Sequence, residues 1–182
     1  MPSQSQIDLL ARLHDVDELI EAHIALTGGG AGRPARRQGA AVTRAGVVLL
    51  AAATEAFVED LFEEAAPLLW PSAPKSQLKM LFDNTSKRLN NADVRKTQLL
   101  FFNLGLPGAL DEVRWRKFSN ASFKESLDSL VTTRNKIAHG LQPSLRLGQL
   151  RYWRRMVGHY AERLDSVVAD HIQSLRGKRP PW

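Results

Sequence analysis

The sequence predicts an all-α bundle of about five to six helices, and three observations carry that prediction. Apolar residues recur at spacings of three and four along most of the 182-residue chain. Glycine, proline and Ser/Asn/Asp clusters interrupt the pattern at helix-length intervals. No stretch alternates apolar and polar residues as a half-buried strand would, and no internal repeat stands out.

Taken in order, Ile7, Leu10, Leu13, Val16 or Asp17, Ile20 and Ile24 mark a first helix reaching about residue 26. "TGGGAGRPARR", residues 27–37, reads as a Gly/Arg-rich loop. It is no P-loop, because no Gly-Lys-Ser/Thr follows. It serves as a connector, with phosphate contact from Arg33, Arg36 and Arg37 as the other reading. A long helix follows over residues 38–66, apolar on nearly every side, which places it in the core with neighbours on several faces. "PLLWPSAP" ends it, and "SQLKMLFDNTSKRL" reads as a shorter helix. "NADVRKTQLLFFNLG" offers an Asn/Asp cap, an apolar stripe and a closing Gly105, and "LPGALDEVRWRKF" is irregular. "SFKE", Ser122 to Glu125, reads as a capping box opening a helix that Gly140 terminates. A last helix over residues 144–175 carries Leu150, Val157, Leu164, Val168 and Ile172. Residues 1–176 thus form one domain, with 177–182 as a tail.

The absence of cysteine excludes disulfides, thiolate metal sites and cysteine nucleophiles. The longest apolar run, "AGVVLLAAA", has roughly half of the ~20 residues that a membrane span needs. "MPSQSQIDLLARLHD" lacks a basic start followed by an apolar segment, so a cytoplasmic protein with no membrane association is expected. The net charge of +6 is uneven. Residues 1–66 hold five Lys/Arg against ten Asp/Glu, and residues 67–182 hold twenty against nine. That polarity suits a polyanion partner, RNA or DNA being the commonest.

One stretch departs from a plain core helix: "SLDSLVTTRNKIAHG", Ser126 to Gly140. At about 100° per residue, Arg134 lies at the centre of an arc holding Phe123, Leu127, Leu130, Val131, Ile137 and Ala138. Asn135 and His139 sit about 100° and 140° away on one flank. A guanidinium keeps its proton at any ordinary pH, so burying it demands an anion or several carbonyls. Two readings stand side by side. Arg134 pairs with Glu55, itself among apolar neighbours, and fixes helix register; or it holds a ligand anion. His139 likewise either satisfies the helix terminus or exchanges protons.

"RNKIAH" resembles the R-x4-6-H signature of the HEPN superfamily, all-α domains that include many metal-independent RNases. With "AAATEAFVEDLFEEA" on the preceding core helix, the chain resembles the RiboL-PSP-HEPN branch over roughly residues 40–175 by helix order. The resemblance implies a HEPN-like bundle that dimerises, with two motifs facing each other across a shared cleft. It implies RNA cleavage by the strand's own 2′-hydroxyl, leaving a 2′,3′-cyclic phosphate, with no cofactor and no metal. His139 would then be the general acid/base, Arg134 the stabiliser of phosphorane charge, Asn135 an orienting group and Glu55 the residue ordering Arg134. The 140° separation of Arg134 and His139 fits a site shared between two subunits.

RNA contact is expected from Lys136 and from "RYWRR": Arg151, Trp153, Arg154 and Arg155. The opposing reading packs Tyr152 or Trp153 in the core and leaves the arginines in solvent. Arg114, Trp115, Arg116 and Lys117 form a second basic and aromatic patch. The partners expected are RNA, a second copy of the chain and an antitoxin protein, for a toxin or phage-defence effector. A non-catalytic HEPN module that binds RNA or protein is the alternative.

Overall fold

Why one helical hairpin should organise this chain is legible at its first turn. A computed structural model describes residues 1–28, 33–116 and 118–182, and over 33–37 the backbone alone. Among them are six α-helices: α1 (Gln4–Thr27), α2 (Arg33–Leu69), α3 (Lys75–Asn84), α4 (Val94–Phe102), α5 (Asn120–Ala138) and α6 (Leu147–Arg176). A 3₁₀ turn, Ser86–Arg88, lies between α3 and α4. The side chains of Arg33, Arg36, Arg37 and Lys117, named above for phosphate contact, lie outside the described residues.

Ser3 caps α1 by accepting the Gln6 amide at 3.1 Å. Glu64, on α2, accepts the Gln4 and Ser5 amides and the Ser5 hydroxyl, setting a negative charge at the positive end of α1. The far end of the hairpin closes on His23, whose Nδ1 lies 3.1 Å from the Gly39 carbonyl and 2.9 Å from the Thr43 hydroxyl. A Cβ at Gly39 would sit 2.1 Å from the His23 ring, so only glycine lets the two helices approach here.

The buried stripe of α1 is Leu9, Leu13, Val16, Ile20 and His23, while Ile7 and Leu10 are 46% and 51% exposed. The expected stripe is therefore displaced by part of a turn at its start. Both sets satisfy helical periodicity, and the position of α2 selects one. α2 begins at Arg33, so the expected loop over 27–37 is shorter than predicted. α2 also departs from being enclosed on every side. It buries Val47, Leu50, Phe57, Val58, Leu61 and Phe62, but Ala41, Ala45 and Ala52 are exposed. By length and composition Gln38–Leu69 could cross a membrane; half of its most apolar window is buried in the fold.

α6 packs on both α1 and α2 through Trp153, Met156, Val157, Tyr160, Leu164, Val168 and Ile172. It is tied to α1 by a two-pronged ion pair, Arg154 Nε to Asp17 Oδ1 at 2.8 Å and Nη2 to Oδ2 at 2.6 Å. Residues 177–182 fold back along α6. Arg179 bonds Asp170 and Gln173, Pro180 is buried and Trp182 packs on the core.

Candidate functional site

The site is built on the closing turns of α5. The helix opens one turn before the expected box: Ser119 is the N-cap, its Oγ accepting the Ser122 amide at 3.1 Å. Ser122 thus stands at the third helical position rather than at the cap. The side-chain amide of Asn120 donates to the Leu110 and Val113 carbonyls, which draws the irregular loop onto the helix start.

At the other end His139 is the C-cap and Gly140 takes the left-handed conformation, φ +80°. The Gly140 amide bonds the Ile137 carbonyl at 3.0 Å and the Leu141 amide bonds Lys136 at 2.9 Å, a complete Schellman motif. The last carbonyls are therefore satisfied by backbone, and the His139 side chain is spared that duty. His139 is exposed and carries no side-chain hydrogen bond among the described residues.

Arg134 is half-buried, and its partners correct the pairing expected with Glu55. Its Nη1 donates to Asn91 Oδ1 at 3.1 Å and to Asn135 Oδ1 at 3.2 Å. Among the described residues no carboxylate lies within ion-pair distance of it. Glu55 is half-buried on α2 and forms no ion pair with Arg134 or with another cation among the described residues. Two amide oxygens orient a guanidinium without neutralising it, so the Arg134 charge is unpaired among the described residues. Ala138, placed by the helical wheel in the buried arc, is exposed, so no neighbouring element covers the helix at that point.

Asn91 was hidden within a segment read as the cap of the next helix. Asp93 is the actual cap of α4, accepting the Lys96 amide at 2.8 Å. Asn91 lies two residues before it with φ +91°, a conformation asparagine tolerates better than most side chains. Two anchors fix that segment. The Ser86 hydroxyl donates to Glu63 on α2 at 2.7 Å, and Asp128 on α5 accepts the Val94 amide at 3.0 Å. The "NN" preceding "AD" was the only trace of this role in the sequence.

Asn135, Asp128, Asp93 and Arg95 border a polar groove of about 340 Å³ between α4 and α5. On the opposite flank a groove of about 680 Å³ runs between α5 and α6, lined by Ser129, Thr133, Arg146, Gln149 and Trp153. Lys136, Arg151 and Arg155 are exposed, as RNA contact requires. Two other expected contacts are not available. Trp153 is 2% exposed and belongs to the core, because α6 turns that side toward α1 and α2. Arg154 is committed to Asp17. On α2, burial and the neighbouring charges of Glu55, Asp60 and Glu63 push the Glu59 carboxyl up to about 7.

A family model described as RiboL-PSP-HEPN matches residues 11–170. No curated protein and no solved structure matches the chain.

Proposed function

Because the chain belongs to the RiboL-PSP-HEPN family, which narrows its function to an RNase or an RNA-binding module, we propose that it is a metal-independent endoribonuclease. The observation that carries this reading is the state of Arg134: aimed by Asn91 and Asn135, yet balanced by no carboxylate among the described residues. A guanidinium meant only to hold helices together finds its counter-ion inside the fold, as Arg154 does with Asp17. Arg134 has none among the described residues, and a phosphate is a natural complement.

His139 stands open to solvent at the helix end, where an imidazole can serve as general acid or base. It removes the 2′-hydroxyl proton or protonates the leaving 5′-oxygen, while Arg134 stabilises the charge that builds on phosphorus. Arg134 and His139 point about 140° apart on one helix, so a homodimer completes the site, each subunit's histidine meeting the other's arginine. The protein acts in the cytoplasm, as a toxin with an antitoxin partner or as a phage-defence effector.

The same angular separation supports the second reading, a non-catalytic module in which Arg134 merely binds RNA. One comparison decides. His139→Ala should abolish cleavage of a labelled RNA, with the melting curve near wild type and with EDTA without effect on the parent. Cleavage untouched by that change would sink the nuclease reading.

A further inference from the structure

Away from the Arg134–His139 motif, one side of the bundle carries an open aromatic pocket of about 220 Å³. It is lined by Trp115, Phe118, Tyr152, Arg155, Met156 and His159. Trp115 and Phe118 face each other as an isolated antiparallel bridge, bonded through both backbones at 3.3 and 2.9 Å. Directly opposed residues project to one side, and here the rings stack at 4.5 Å with planes 18° apart. His159 stands 5.3 Å from Trp115, and Phe118 meets Tyr152 edge-on at 6.1 Å. The Tyr152 hydroxyl lies 2.8 Å from Ser126 Oγ, which fixes the ring against α5.

We propose that this pocket receives a single unstacked base of a single-stranded RNA, with Arg155 and Arg116 holding the flanking phosphates. The inference rests on the reading of the chain as an RNA-acting protein. Four side chains with π-faces remain partly open where burial of the cluster would have closed them. Arg155 at the mouth and Arg116 on the turn are exposed and carry no carboxylate partner among the described residues. Beside the pocket, Glu162 lies 3.6 Å from His159 Nδ1. The volume falls below the ~300 Å³ at which drug-sized ligand sites begin, which suits one ring system and leaves sugar and phosphate outside. Aromatic faces beside guanidinium groups are the ordinary means of gripping single strands with little sequence preference. Ser126 lies eight residues before Arg134, about 12 Å along the axis, so the pocket holds the strand a short distance from the scissile phosphate.

Fluorescence anisotropy with an end-labelled single-stranded RNA tests this, in a His139→Ala background that leaves the strand intact. Trp115→Ala and Arg155→Ala should each weaken binding by about five-fold or more. Arg155→Ala should also lower the salt dependence of log Kd by about one unit of slope. Trp115→Phe keeps a ring and should bind nearly as the parent does, which separates stacking from damage to the loop. Unchanged affinity in Trp115→Ala and Arg155→Ala overturns the proposal. So does a shift in oligomeric mass without a shift in affinity, which would make the patch a protein contact. If the chain with His139 intact leaves RNA uncut but these variants still bind weakly, the pocket stands and the nuclease reading falls. If it cuts RNA and the variants bind normally, the reverse holds.

Discussion

Arg134 illustrates how a single residue's role depends on the charge of its partners. An ion pair with Glu55 would have locked the side chain and consumed its charge; Asn91 and Asn135 lock it and leave the charge intact. On the nuclease reading proposed above Asn91 is a positioning residue, and Asn91→Ala should lower kcat about ten-fold or more with KM little changed. A melting curve near wild type in the same variant would exclude simple unfolding. Glu59 offers a test at the same scale. Its carboxyl is raised from 4.5 to about 7. Between those values the folded chain holds a proton that the unfolded chain has lost, so stability falls as pH rises across that window. Glu59→Gln should remove the decline and stabilise the protein at pH 8 relative to pH 5, as denaturant melts at the two pH values would show.

At the scale of elements, the end of α5 matters more than its beginning. Gly140 adopts φ +80° with no atom within 4 Å of where a Cβ would stand, so Gly140→Ala costs conformational strain alone. A loss of about 1–2 kcal/mol is expected, a fall in Tm of roughly 2–8 °C for a chain of this size. Ser119→Ala should cost about 1 kcal/mol through loss of the cap, and Ser122→Ala less. Equal losses from the two serines would restore the capping box expected from "SFKE". In the hairpin of α1 and α2, Gly39→Ala drives a methyl into His23. That variant should melt well below wild type, and adding His23→Ala should recover part of the loss, a coupling measurable as a double-mutant cycle.

For the molecule as a whole, the decisive prediction concerns two chains rather than one. Arg134→Ala and His139→Ala proteins should each be inactive alone. Mixed and allowed to exchange subunits, they should regain about a quarter of wild-type cleavage, since half the dimers then hold one intact composite site of two. No recovery in a verified heterodimer would place both groups in the same subunit.

Helix number and helix order are legible in the sequence, because periodicity and caps are local signals, and so is the presence of a charged residue, Arg134, in an apolar arc. The partners of Arg134 are not. Glu55 looked apt because opposite charges attract, but Asn91 reaches the guanidinium only after Glu63–Ser86 and Asp128–Val94 pin its segment to two helices. For "RYWRR" the sequence leaves a basic-aromatic patch and a core-packed Trp153 side by side, and α6 decides by rotation: Arg151 and Arg155 outward, Trp153 inward, Arg154 onto Asp17. Trp115, Phe118 and Tyr152 form a pocket only because a loop and α6 meet. Periodicity along one chain specifies which faces are apolar; it cannot specify which face a neighbour covers. Tertiary packing makes that choice, and with it the choice of which polar groups remain free to act.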